Sequence, residues 1–144
     1  MRKRLHELSR ITKDEKMMDE GRRISSVREL DVYKLAFDTA MEIYNISKSF
    51  PKEEKYALID QIRRSSRSIC ANIAEAWRKR KYIAMFINKL SDAGQEAAET
   101  QTWLEFALKC NYIDKKIFDK LDEQYEHIFA MLITMERKAN TFCK

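Results

Sequence analysis

Gln61-Ile62-Arg63-Arg64-Ser65-Ser66-Arg67-Ser68-Ile69-Cys70-Ala71-Asn72-Ile73-Ala74-Glu75-Ala76-Trp77-Arg78-Lys79-Arg80 reads as one helix carrying two messages. Ile62, Ser66, Ile69, Ile73 and Ala76 recur at alternating steps of four and three, the seam spacing of a helix packed at a shallow angle against others. The rest of its surface is basic, with Arg63, Arg64, Arg67, Arg78, Lys79 and Arg80. A helix that packs on one side and shows arginine on the other belongs to an assembly or to an anion binder.

The remainder of the chain extends this helical pattern. At 144 residues it is one domain's worth, and two Gly and one Pro are too few for a turn-rich β fold. Charged residues at 35% in long 3.6-period segments point to helices. No window of about 18 apolar residues offers a membrane span. The basic N-terminus lacks the apolar run of a secretory signal. Cys70, Cys110 and Cys143 are an odd set without a CxxC pair, and reduced thiols in the cytoplasm are the simplest account.

The net charge of +5 is unevenly spread. Residues 1–28 carry nine Lys/Arg against five Asp/Glu, and residues 62–89 carry eight against the single Glu75. The flanking segments 29–61 and 90–144 are each acidic by three charges. The body is therefore dipolar, with one basic zone that attracts phosphate chains or an acidic partner surface. The alternative is that Asp and Glu of an oligomer neutralise it.

Residues 1–28 read as a basic extension, disordered or a marginal helix, because Leu5, Leu8 and Ile11 are swamped by charge and Gly21 interrupts them. A natural start at Met17 or Met18 is an alternative. Residues 29–144 then form the folded body. A first helix is expected over Glu29 to Lys48, with Tyr33, Ala36, Phe37, Ala40, Ile43, Tyr44 and Ser47 inward. Phe50-Pro51 stops it, since a residue before proline is pushed out of the α region. The second helix runs from about Glu53 to Arg80 and the third from about Tyr82 to Cys110. Small Ala93, Gly94 and Ala97 on the third allow close approach of a neighbour. Asp114 caps a fourth helix in which Ile117, Leu121, Gln124, Tyr125, Ile128, Leu132, Met135 and Ala139 face inward. Short loops between four amphipathic helices predict an all-α, antiparallel up-down-up-down four-helix bundle.

The enzymatic readings of such a bundle fail on residue counts. A di-metal carboxylate centre needs two Glu-x-x-His pairs, whereas only His6 and His127 exist and Gln124 stands where His127 needs Glu. Isolated cysteines exclude a structural zinc site. Ser65, Ser66 and Ser68 lie in mid-helix, and Gly21 and Gly94 cannot make a phosphate loop. No catalytic residue, cofactor or metal ligand is expected.

Two sets of polar residues remain. Arg64, Ser68, Asn72 and Glu75 share one flank of the second helix, and Asp92, Glu96, Glu99 and Trp103 share a flank of the third. In a structural reading Arg64 or Arg67 pairs with Glu96 or Glu99 across helices or subunits, and Asn72 satisfies groups at an interface. In a functional reading the arginines bind phosphate. We assign Arg64, Ser68, Asn72, Glu75, Glu96, Glu99 and Trp103 to structure or an oligomer interface. Arg63, Arg67, Arg78, Lys79, Arg80 and Lys81 are the nucleic-acid candidates, because four consecutive bases at a helix junction have no acids nearby in sequence. Trp77 and Trp103 at stripe margins read as core edge or interface, with base stacking as the lesser alternative.

Leu30-Asp31-Val32-Tyr33-Lys34-Leu35-Ala36, Phe50-Pro51-Lys52-Glu53-Glu54-Lys55-Tyr56-Ala57-Leu58 and Gln61–Ile69 with Asn72-Ile73-Ala74-Glu75 resemble the bacterial four-helix bundle family encoded by intervening sequences within 23S rRNA genes. Phe86-Ile87-Asn88-Lys89-Leu90 and Glu96–Leu104 match a common variant, so the resemblance covers about 30–140. It implies an antiparallel bundle, often assembled as a homopentameric barrel, with no attached enzymatic activity. A relative is the basic, pentameric accessory protein of diversity-generating retroelements, which works with a reverse transcriptase and its RNA. The family motif residues that carry over are Arg63, Arg64, Ser68, Asn72 and Glu75. Ala76 stands where the family usually has Gly, and Ser65-Ser66 where it usually has Ala-Ala.

The expectation is therefore a non-enzymatic homo-oligomer, a pentamer by resemblance, that binds nucleic acid, foremost structured RNA. The alternatives are a scaffold docking an acidic partner protein such as a reverse transcriptase, and a purely self-associating bundle.

Overall fold

The structure, a computed structural model, describes residues 24–143. The reading of the N-terminal extension therefore falls almost wholly outside the described residues. Packing begins before residue 29: Ile24 is buried in the core, and Ser26 caps a 3-10 turn over Val27–Glu29 by accepting from the Arg28 N–H. Helix α1 spans Asp31–Ser47, α2 Asp60–Arg78, α3 Ile83–Lys109 and α4 Lys115–Arg137. A short α5, Ala139–Phe142, brings Phe142 onto Phe86 with ring centroids 6.3 Å apart. Among the described residues these helices form an all-α bundle without a strand, and none is long and apolar enough to cross a membrane.

The ends follow local chemistry. Asp114 accepts from the Ile117 N–H at 2.8 Å and so caps α4. Helix α3 ends with Asn111 at φ 64°, in the left-handed region that asparagine tolerates. The Tyr112 N–H donates to Ala107 O and the Asn111 N–H to Leu108 O, which satisfies two terminal carbonyls. The entry to α2 is less regular than its sequence predicts. Lys52–Glu54 form a 3-10 turn and Lys55–Ile59 a π turn before the α-helix begins at Asp60. Glu54 is tethered there by the Tyr112 hydroxyl at 2.8 Å, while Leu58 and Ile59 are both buried.

The seam read from sequence is the buried side of α2: Ile62, Ser66, Ile69, Ile73 and Ala76 are all inside. Ser65 joins them, accepting from the Thr100 hydroxyl of α3 at 2.8 Å and donating to Ile62 O at 3.3 Å. Ala93 and Ala97 lie on the same stripe of α3 as Thr100 and are fully buried. The α2–α3 pair is accordingly the most extensive contact in the bundle. One inward assignment and one close-approach assignment differ. Phe37 is 49% exposed, because the inner arc of α1 is set by Val32, Ala36, Thr39, Ala40 and Ile43. Gly94 is not at a tight crossing, since a Cβ there would meet only Phe129 Cε1, at 3.9 Å.

Neighbouring positions of α3 should therefore respond with opposite signs. Ala97→Leu overpacks a site without room and is expected to destabilise by about 1–3 kcal/mol. Gly94→Ala removes a flexible mid-helix residue without a clash and is expected to stabilise by about 1 kcal/mol. Urea denaturation of both variants checks the pair.

Candidate functional site

Helix α2 divides its circumference. At 100° per residue Arg63, Arg67, Ala71, Ala74 and Arg78 fall within an arc of about 80°, away from the buried seam, over about 22 Å of helix. At the N-terminal end of this face Arg63, Arg64, Arg67, Ser68 and Ala71 join Asp60 and Tyr44 in lining an open cleft of about 570 Å³. Arg63 is held in place: its Nε donates to Ser47 Oγ at 2.8 Å, and its guanidinium lies 4.9 Å from the Tyr44 ring centroid. Arg67 and Lys48 approach the same ring at 5.5 and 4.6 Å. Three cations thus approach one ring, and the two arginines among them also line the cleft, where their mutual repulsion favours an anion. Tyr44 and Lys48 were not singled out as site residues in the sequence, because Tyr44 read as an inward residue of α1 and its two arginine partners come from α2.

The C-terminal end of α2 is built differently. Arg80 lies over the Trp77 ring at 3.6 Å and its Nε donates to Trp77 O at 2.8 Å. Trp77 itself is buried, so this guanidinium closes the core edge and stiffens the turn. Lys79 is the C-cap residue, its N–H shared between Glu75 O and Ala76 O. Arg78 and Lys81 are exposed on either side. Of the four consecutive bases, the structure thus gives Arg80 a structural role and leaves Arg78 and Lys81 outward.

The flank residues mostly find partners within the protomer. Glu75 binds Lys89 at 2.8 Å, with Asp92 3.9 Å from the same ammonium, and this pairing raises the Lys89 pKa. Asn72 donates to the Ser68 carbonyl of its own helix at 2.9 Å. Glu96 and Glu99 make no ion pair with Arg64 or Arg67 among the described residues. Each keeps a buried Oε2 without a hydrogen-bond partner, and so does Trp103 at Nε1. Desolvation and the adjacent Glu99 raise the Glu96 pKa, against a weaker opposing pull from Arg64. Trp103 is half-buried, and its ring is 6.0 Å from that of exposed Phe106.

Two of the three thiols, Cys70 and Cys143, are poor nucleophiles in place. Burial pushes the Cys70 thiol up to about 11 and raises that of Cys143. Among the described residues no cluster of His, Cys, Asp and Glu has the make-up of a metal centre.

With this geometry in view, comparison with known proteins adds a family. The model of the family described as 23S rRNA-intervening sequence protein matches residues 28–134. A solved crystal structure of a protein of unknown function from the S23 ribosomal protein family, from Bacteroides thetaiotaomicron, is 34% identical with a TM-score of 0.67. That alignment covers 74% of this chain and 98% of the other. No curated protein matches the chain.

The raised Glu96 pKa has a signed consequence for stability. A carboxyl whose folded pKa lies above its unfolded value favours folding when protonated, and that contribution is lost as pH rises through the folded pKa. Glu96→Gln should therefore stabilise the protein at pH 7 and have little effect near pH 4, as read by urea denaturation at both pH values. Destabilisation at pH 7 would mean that a cation reaches this carboxylate in the assembled protein.

Proposed function

Since the chain belongs to the 23S rRNA-intervening sequence protein family, we propose that it is a non-enzymatic homo-oligomeric bundle that binds nucleic acid, foremost structured RNA. The contact surface in this reading is the outer face of α2. The observation that carries it is the convergence of Arg63, Arg64 and Arg67 on one cleft whose lining holds a single acid, Asp60. Arg63, already oriented by Ser47 and Tyr44, binds phosphate with little further loss of side-chain freedom. Arg78 extends the positive face towards the α2–α3 junction, with Lys79 and Lys81 beside it.

Self-association is the second part of the proposal, and pentamer is the stoichiometry we propose from the resemblance. Phe37 and Met41 are exposed at i and i+4 on α1, and Phe106 is exposed beside half-buried Trp103 on α3. Apolar faces of this kind suit contact with further copies of the chain. A closed ring would repeat the arginine cleft around its circumference, so weak individual phosphate contacts would act together. An acidic protein partner could use the same cleft. The location of the positive charge on one helix face, at helical rather than protein-surface spacing, makes a phosphate chain our preferred ligand.

The triple variant Arg63→Gln, Arg67→Gln, Arg78→Gln keeps Arg80 on Trp77 and so spares the core edge. It is expected to weaken binding of nuclease-treated protein to a structured RNA by at least about tenfold at 0.1 M salt while the circular-dichroism spectrum at 25 °C still shows the folded helical bundle, with the melt lowered only by loss of the Arg63–Ser47 bond. Unaltered affinity would refute the site. Sedimentation should give five times the 17.2 kDa chain mass.

A further inference from the structure

We propose that the α2–α3 junction is a seat for an unpaired nucleotide, with the Tyr82 ring stacking on the base and Arg78, Lys79 and Lys81 holding the flanking phosphates. This rests on the nucleic-acid reading above and adds to it the kind of nucleotide that is recognised. Tyr82 is 53% exposed, although its backbone N–H and carbonyl are both hydrogen-bonded. It is the N-cap residue of α3, in an extended conformation at φ −121° and ψ 99°. Its N–H donates to Lys79 O at 2.9 Å and its carbonyl accepts from the Phe86 N–H at 3.0 Å. The ring is therefore presented from a fixed base, with no side-chain capping bond to make.

The surroundings give the ring its ligand chemistry. Lys81 Nζ lies 5.9 Å from the ring centroid, and the preceding helical turn contributes Arg78 and Lys79. Arg80 acts from below: stacked on Trp77 and bonded to its carbonyl, it pins the turn that carries Tyr82. An exposed aromatic with Lys81 beside its ring and two further bases just before it in the chain meets both needs of a nucleotide, a π face for the base and charge for the phosphates. Bases in a helix have no free face to offer, whereas those in loops and bulges can splay out onto aromatic side chains. The junction therefore selects unpaired positions of a folded RNA, while the arginine cleft, about 22 Å along α2, is indifferent to pairing. Ile83 and Met85 are also exposed here and add apolar area for a base or sugar edge.

The test uses the full chain, nuclease-treated, and two fluorescein-labelled RNAs of equal charge: a hairpin with an unpaired uridine loop and a fully paired duplex. The wild type is expected to prefer the hairpin by about tenfold, Tyr82→Ala to lose that preference, and Tyr82→Phe to keep it. The double variant Arg63→Gln, Arg67→Gln, which keeps Arg78 at the junction, should weaken both RNAs together. Unchanged hairpin preference in Tyr82→Ala, with the arginine variant still impaired, overturns the seat and leaves the cleft standing. Failure of the wild type to bind either RNA overturns both. Loss of the oligomer in Tyr82→Ala would make the ring an interface between copies. Tyr82-dependent binding to vesicles of anionic phospholipid, without hairpin preference, would make it a membrane-surface contact. Either result overturns the proposal.

Discussion

Close packing of α2 against α3 is the constraint from which the remaining features follow. The buried side of α2 includes Ser65, Ser66 and Ala76, and α3 answers with Ala93, Ala97 and Thr100. Small side chains let two helices approach closely, and the hydroxyl of Thr100 on Ser65 fixes their register. With register set, Glu75 falls opposite Lys89, and the acid-rich flank of α3 lies along the Arg64 side of α2. The arginines on the opposite side are left outside the core. Helix α2 can therefore hold the bundle together and show a basic face without either role displacing the other.

Charge along α2 is sorted rather than spread. Acids of the described body concentrate on α3 and α4, where Gln101 donates to Asp122 and Glu126 and Lys120 reaches Glu42. These partners are absent from the Tyr44 cleft. The two ends of α2 also treat aromatic rings differently. At half-buried Tyr44 three cations approach one ring, whereas at Trp77 a single arginine covers a buried ring. Both arrangements use cation–π attraction, but only the first leaves surplus positive charge facing an open cleft.

Much of this was legible in the sequence because it depends on spacing along one helix. The steps of four and three from Ile62 to Ala76 located the buried side of α2, and Asp114 marked the start of α4. What depends on contacts between helices was not legible. Tyr44 becomes the floor of the cleft only when Arg63 and Arg67 arrive from α2, and Arg80 leaves the row of outward bases only because Trp77 lies beneath it. Phe37 matched the apolar period of α1 yet faces out, since residues one step round the helix already fill the core. The π turn over Lys55–Ile59 has no signal of its own, being fixed in part by the Tyr112 hydroxyl from the far end of α3. Gly94 looked like a crossing point because it is small, but the crossing is made by Ala93 and Ala97 on the adjacent stripe.

The most direct measurement of the central claim, that the bundle itself carries the phosphate-binding face, is a salt series of structured-RNA binding for the full chain and for residues 24–144. Removal of residues 1–23 leaves Ile24 and the capped turn that follows it in place. The shorter chain is expected to bind with an affinity that falls steeply as salt rises, as release of counterions from several phosphates requires. Binding that disappears with residues 1–23, or that ignores salt, would contradict the claim.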